Sequence, residues 1–125
     1  MLLEECYKRF GGNYEEVKSR LQNDDLISRF VIKFPADKSY EELSVAIREE
    51  NYEEAFRAAH TLKGLSRNFS FDRLAESSSN LTELLRNREK EPVDKNLCEQ
   101  LFLQVSTDYV AVTNAIKEFA KQVQV

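Results

Sequence analysis

Apolar residues recur along the chain at intervals of three and four, the spacing that lines one face of a helix. Leu2, Leu3, Cys6, Tyr7 and Phe10 form the first stripe, which stops at Gly11-Gly12, and Asn13 is placed to cap a short helix from Tyr14 to about Gln22. Leu26, Ile27, Phe30, Val31 and Phe34 form a third segment. It must end before Pro35, because the residue preceding a proline disfavours helical geometry. Ser39-x-x-Glu42 and Asn51-x-x-Glu54 read as capping boxes, the second with Asn in place of the usual Ser or Thr.

The two helices opened there carry Leu43, Ala46 and Ile47 inward, then Ala55, Ala58, Ala59, Leu62, Ser66 and Phe69 on one stripe. After a break near Ser70, Leu74, Ser78, Leu81 and Leu85 mark a helix that frays in the charged run Arg86-Asn87-Arg88-Glu89-Lys90-Glu91 before Pro92. That run reads as a solvated helix end and loop. Asp94 is placed to cap a last helix striped by Leu97, Leu101, Val105, Val112, Ile116, Phe119 and Val123. We read this stripe as core rather than as a surface for a partner helix, and expect a monomer. No segment of useful length has strand period and no repeat recurs, so the pattern predicts an all-α fold.

Composition narrows the picture further. A chain of 125 residues has the size of one domain, and 42% hydrophobic residues suffice for a real core. Three glycines and two prolines are too few for the many tight turns of a sandwich or barrel. With 18 Lys+Arg against 22 Asp+Glu the net charge is -4, which lacks the basic excess that tracks a nucleic-acid backbone. There is no apolar run of membrane-spanning length and no basic region of a signal peptide at Met-Leu-Leu-Glu-Glu, so no membrane partner and a cytoplasmic location are expected. The initial Met and the absence of linker sequence at either end favour a stand-alone protein. Cys6 and Cys98 stand far apart without metal-ligand spacing and read as small core residues.

One residue falls outside this core pattern. His60, the only histidine, points away from the stripe of Ala55, Ala59, Leu62, Ser66 and Phe69, and therefore toward water. Gly64 follows it by one turn, where glycine inside a helix costs about 1 kcal/mol relative to Ala and no helix-ending signal explains it. A glycine there leaves the side of the imidazole uncovered for a second protein. Arg57, Lys63 and Arg67 at i-3, i+3 and i+7 place cationic donors around the ring, an arrangement that suits an anion held at the histidine.

Rival chemistries lack their residues. A metal would need ligands at i+3 or i+4, where Lys63 and Gly64 stand, so no metal is expected. A nucleophile–histidine pair would need a pocket and an orienting carboxylate. A glycine-rich phosphate loop for ATP is absent, so self-phosphorylation as a kinase is not expected. What remains is histidine as acceptor of a phosphoryl group delivered by another protein.

Ala58-Ala59-His60-Thr61-Leu62-Lys63-Gly64, followed by Leu74, resembles the histidine-containing phosphotransfer (HPt) domain of bacterial multistep phosphorelays. The apolar segment before Pro35, Leu43, Ile47, Tyr52, Ala55 and Phe56 fit that family's lead-in helices. The resemblance implies an antiparallel four-helix bundle in residues 37–125, with additional short N-terminal helices in residues 1–36, within a single domain of residues 1–125. It implies that His60 is the phosphorylated residue, that Lys63 helps neutralise the phosphoryl oxygens, and that Gly64 clears space for a receiver domain; Arg67, from its spacing, is expected to assist Lys63. Phe56, Arg57 and Gly64 are then expected at the partner interface, the partners being a response-regulator receiver and a hybrid histidine kinase. The protein would carry no cofactor of its own, magnesium belonging to the receiver's acidic pocket. The alternative is a helical docking module of the same shape that binds a receiver or kinase without carrying phosphate.

Family members often have glycine ten residues after the histidine, where this chain has Ser70, and small residues just after the motif glycine, where it has Leu65. Ser70 is expected to cap the next helix, with Asp72 favourable in its first turn.

Overall fold

The computed structural model describes residues 1–123, and the last two residues of the expected domain lie outside them. Seven α-helices follow one another: α1 (Leu3–Arg9), α2 (Tyr14–Leu21), α3 (Asp24–Lys33), α4 (Ser39–Arg48), α5 (Tyr52–Asn68), α6 (Asp72–Arg86) and α7 (Lys95–Val123). A 3-10 turn, Phe34–Ala36, joins α3 to α4. No strand occurs among the described residues.

Helices α4 to α7 form an antiparallel four-helix ring in which each packs on its neighbours in sequence. The α5–α6 pair is the most extensive contact, and both helices bury small residues, Ala55, Ala59 and Ser66 on α5 and Ala75 and Ser78 on α6, that suit a close approach. At the edge that closes the ring, α4 and α7 stand farther apart, and large rings fill the gap. Tyr40 stacks on Tyr109 with centroids 4.0 Å apart and on Phe102 at 5.9 Å, and its hydroxyl donates to Ser106 Oγ at 2.8 Å.

With 29 residues against 15 in α6, α7 runs past the end of the ring. Its second half is covered by α1 and α3, with an exposed Arg9–Glu118 ion pair at the rim. Where α1, the 3-10 turn and the α5–α6 turn meet, Tyr7, Phe10, Phe34, Phe69 and Phe71 pack with centroids 5.1 to 5.8 Å apart. Gly12 permits this closeness, since a Cβ there would stand 2.6 Å from the Phe10 ring, and Gly11 turns the chain at φ +71°. Cys6 and Cys98 are buried and unpaired.

Asn13, Asn51 and Asp94 cap as the sequence predicts, accepting from the N–H groups of Glu16, Glu54 and Leu97. Asn23 does the same for α3.

Several local expectations are corrected. Ser39 does not cap α4. It is the buried first residue of that helix, and its N–H is taken by the Asp37 carboxylate at 2.9 Å. Ser70 does not cap α6 either. It takes the left-handed conformation, φ 57°, two residues beyond the last residue of α5, with Phe71 N–H bonded to Ser66 O and Ser70 N–H to Arg67 O. This pattern usually recruits glycine, because other residues pay a steric cost there. The family's glycine at this point therefore matches a backbone requirement that Ser70 meets by other means. Leu2, Phe30, Leu97 and Val123, expected inside, are 40–69% exposed.

Candidate functional site

The α5 sequence buries one face and leaves the other bare. Ala55, Ala58, Ala59, Leu62 and Ser66 point into the bundle, and His60 stands exposed on the outer side with Arg57, Gly64 and Arg67. A Cβ built on Gly64 would meet nothing within 4 Å. The space beside the imidazole is open, so close helix packing does not account for the glycine.

The cations divide into two sets. Arg57 is paired with Glu54 at 3.0 Å, one turn toward the helix start. Lys63 and Arg67 have no carboxylate within ion-pairing distance among the described residues. Lys63 lies on the α6 side of His60, half-buried. Arg67 sits about 10 Å further along the axis and lines a shallow cleft with Asp72, Ala75, Glu76, Ser79 and Asn80, so it is the cation least associated with the ring.

Two contacts at the site escape sequence reasoning. The Phe56 ring lies nearly parallel to the His60 imidazole, with 7° between planes and 6.1 Å between centroids. Over Phe56 lie the guanidinium carbons of Arg88 at 4.4 Å and Arg86 at 5.5 Å, both drawn from the charged run that begins at the last residue of α6. That run is a helix end and loop, as expected, but these two side chains are docked rather than free. Arg88 also donates to Leu85 O at 3.2 Å, and Arg86 holds both oxygens of Glu83 at 3.0 and 3.1 Å. The Arg86 guanidinium keeps the Glu83 carboxyl below its ordinary range, with smaller contributions from Lys63 and His60, which places Glu83 within electrostatic reach of both. The sequence signal for this docking is only the pairing of a half-buried aromatic with arginines.

Chemically, the arrangement offers an accessible imidazole, unpaired cations on the same helix face, and clearance on one side. No group of three or more potential metal ligands is assembled among the described residues. No helix of the described residues is long and apolar enough to cross a membrane.

Comparison with known protein families identifies the chain. The family model of the Hpt domain covers residues 26–122, from within α3 to the end of α7. No curated protein and no solved structure matches the chain. A model spanning most of the chain, on an all-helical fold with an exposed histidine on the second helix of a four-helix ring, decides the family: the chain belongs to the Hpt domains, the family of histidine phosphotransfer in phosphorelays.

Proposed function

We propose that this protein, as one domain and a monomer in the cytoplasm, is a phosphorelay intermediate. His60 accepts a phosphoryl group from the aspartyl-phosphate of a receiver domain and passes it to another response regulator. A hybrid histidine kinase is the source upstream. The lone pair of one ring nitrogen forms the N–P bond while the P–O bond to the receiver carboxylate breaks, and that carboxylate leaves with the electron pair. The other ring nitrogen keeps its proton. The positive charge left on the ring is balanced by the phosphoryl oxygens, which Lys63 is placed to meet, with Arg67 further along the helix.

The observation that carries this reading is the exposure of His60 beside the open space at Gly64, with an unpaired Lys63 one turn away. Phe56, Arg57 and Gly64 surround the imidazole on the face a receiver would cover. No cofactor is required, because the donor supplies the activated phosphoryl group.

Incubation with a phosphorylated receiver tests the proposal. Acid-labile, base-stable label is expected on wild type and absent from His60→Gln, which should unfold at nearly the same denaturant concentration because an exposed side chain contributes little to packing. Label retained by His60→Gln would remove His60 from the mechanism. Binding of the receiver without label would establish the docking module instead.

A further inference from the structure

Arg88 lies over the Phe56 ring with its guanidinium carbon 4.4 Å from the centroid, and the His60 imidazole runs parallel to that ring at 6.1 Å, so Phe56 links the helix of the histidine to the turn after α6. Phe56 and Arg88 are both held. Phe56 is half-buried against the core and precedes His60 by one helical turn. Arg88 is half-buried and fixed at two points, the face of Phe56 and the carbonyl of Leu85. Arg86 lies over the same ring at 5.5 Å while gripped by Glu83.

We propose that Phe56, clamped by Arg88, is a positioning residue that sets the plane of the His60 imidazole for phosphoryl transfer. The inference rests on His60 being the acceptor. An exposed imidazole on a helix is free to turn about both of its side-chain bonds. Transfer needs the nitrogen lone pair aligned with the P–O bond that breaks, so every other ring orientation is unproductive. A parallel aromatic plane one turn away removes the orientations that would cut into it. The phenyl ring can serve as a fixed wall only if it is itself held, and a planar guanidinium over its face does this better than a rounded ammonium.

The chain has one histidine, so its ring protons give isolated NMR signals that report the Phe56 ring current directly. The experiment compares full-length wild type, Phe56→Leu, Arg88→Ala, Arg88→Lys and the Phe56→Leu/Arg88→Ala double variant. It reads the His60 signals, transfer from a phosphorylated receiver, and labelling by phosphoramidate. Phe56→Leu should abolish the ring-current shift and slow both labelling routes. Arg88→Ala should reduce the shift and slow both routes by roughly two- to fivefold, the change equivalent to one exposed cation–π contact, and Arg88→Lys should recover part of each. The double variant should be no slower than Phe56→Leu alone, since Arg88 acts through the ring.

Unchanged His60 signals in Arg88→Ala would overturn the proposal. So would slowing by the receiver route only, which would make Phe56 and Arg88 docking contacts. A wild type that takes label from neither donor would instead overturn the phosphocarrier reading, and with it the role given to the stack.

Discussion

Ser70 and Glu16, 54 residues apart, share a hydrogen bond of 2.7 Å in which the serine hydroxyl donates to the carboxylate. The same hydroxyl accepts from Arg20 at 2.9 Å, and that guanidinium also reaches the carbonyls of Asn68 and Arg67. These carbonyls lie at the end of α5, beyond which no further turn of helix continues the ladder, although Arg67 O also takes the Ser70 N–H. Tyr7 takes the Phe69 carbonyl at 2.7 Å, and Asn13 N–H takes that of Ser70 at 2.8 Å. The N-terminal helices, most of which precede the family match at residue 26, thus close the end of the helix that bears His60.

Arg20→Ala should lower the unfolding free energy by about 1–2 kcal/mol, since it strips a charged donor from several acceptors. Ser70→Gly should stay within about 1 kcal/mol of wild type, because relief of the left-handed backbone offsets the lost hydroxyl bonds. Denaturant unfolding of both variants checks this. An Arg20→Ala curve that overlays wild type would make the contact an ornament of the surface.

Acid should loosen the same clamp. The Ser70 hydroxyl, then Arg20, hold the Glu16 carboxyl below its ordinary value of 4.5. A depressed folded pKa stabilises the fold above the unfolded value, and that contribution fades as pH falls through the folded one. Below about pH 4.5, wild type should lose stability relative to Glu16→Gln, whose curve lacks this component. Parallel pH dependence of the two proteins would contradict the assignment.

Gly64→Ala should raise stability by roughly 0.5–1 kcal/mol, the ordinary helix-propensity gain where a methyl group meets nothing. Gly64→Gln should fold equally well yet accept phosphate from a receiver far more slowly, with phosphoramidate labelling less affected. Melting temperature and transfer rate, measured together, separate the two effects. Unfolding of Gly64→Gln would show that this face is not free.

Lys63→Ala should leave the fold intact and slow transfer, or shorten the life of the phosphorylated state, by deleting an ammonium beside developing negative charge. Because Arg57 is already paired with Glu54 and Arg67 lies two turns away, neither should replace it fully. Equal rates in wild type and Lys63→Ala across a range of salt concentrations would reduce the lysine to a solvated charge.

Helix periodicity alone made most of this fold legible, because each apolar stripe had one direction to bury and the caps at Asn13, Asn51 and Asp94 are local. Phe71 was not legible. It sits between α5 and α6, on neither stripe, and becomes fully buried only because α1 and the 3-10 turn bring Tyr7, Phe10 and Phe34 onto it. Ser70 was misread for a related reason, since its partners Glu16 and Arg20 come from another helix and its backbone angle belongs to the helix behind it. At the site, the exposure of His60 and the bareness around Gly64 follow from angular position on one helix. The docking of Arg86 and Arg88 on Phe56 depends on where the chain turns after α6, which spacing along α5 cannot encode.

The stacked rings of Tyr40, Phe102 and Tyr109 give the molecule a back as well as a face. They lie along the α4–α7 edge, diagonally across the ring from the α5–α6 edge that presents the imidazole. Backbone contact is sparsest there, and α4 is the shortest member of the ring with 10 residues, so transient opening is cheapest on that side. Amide protons of α4 should exchange with solvent well before those in the middle of α5 and α6. Parting confined to the seam between α4 and α7 leaves the α5–α6 pair, the most extensive in the ring, closed, so the helix that bears the histidine is expected to stay among the stiffest parts of the molecule.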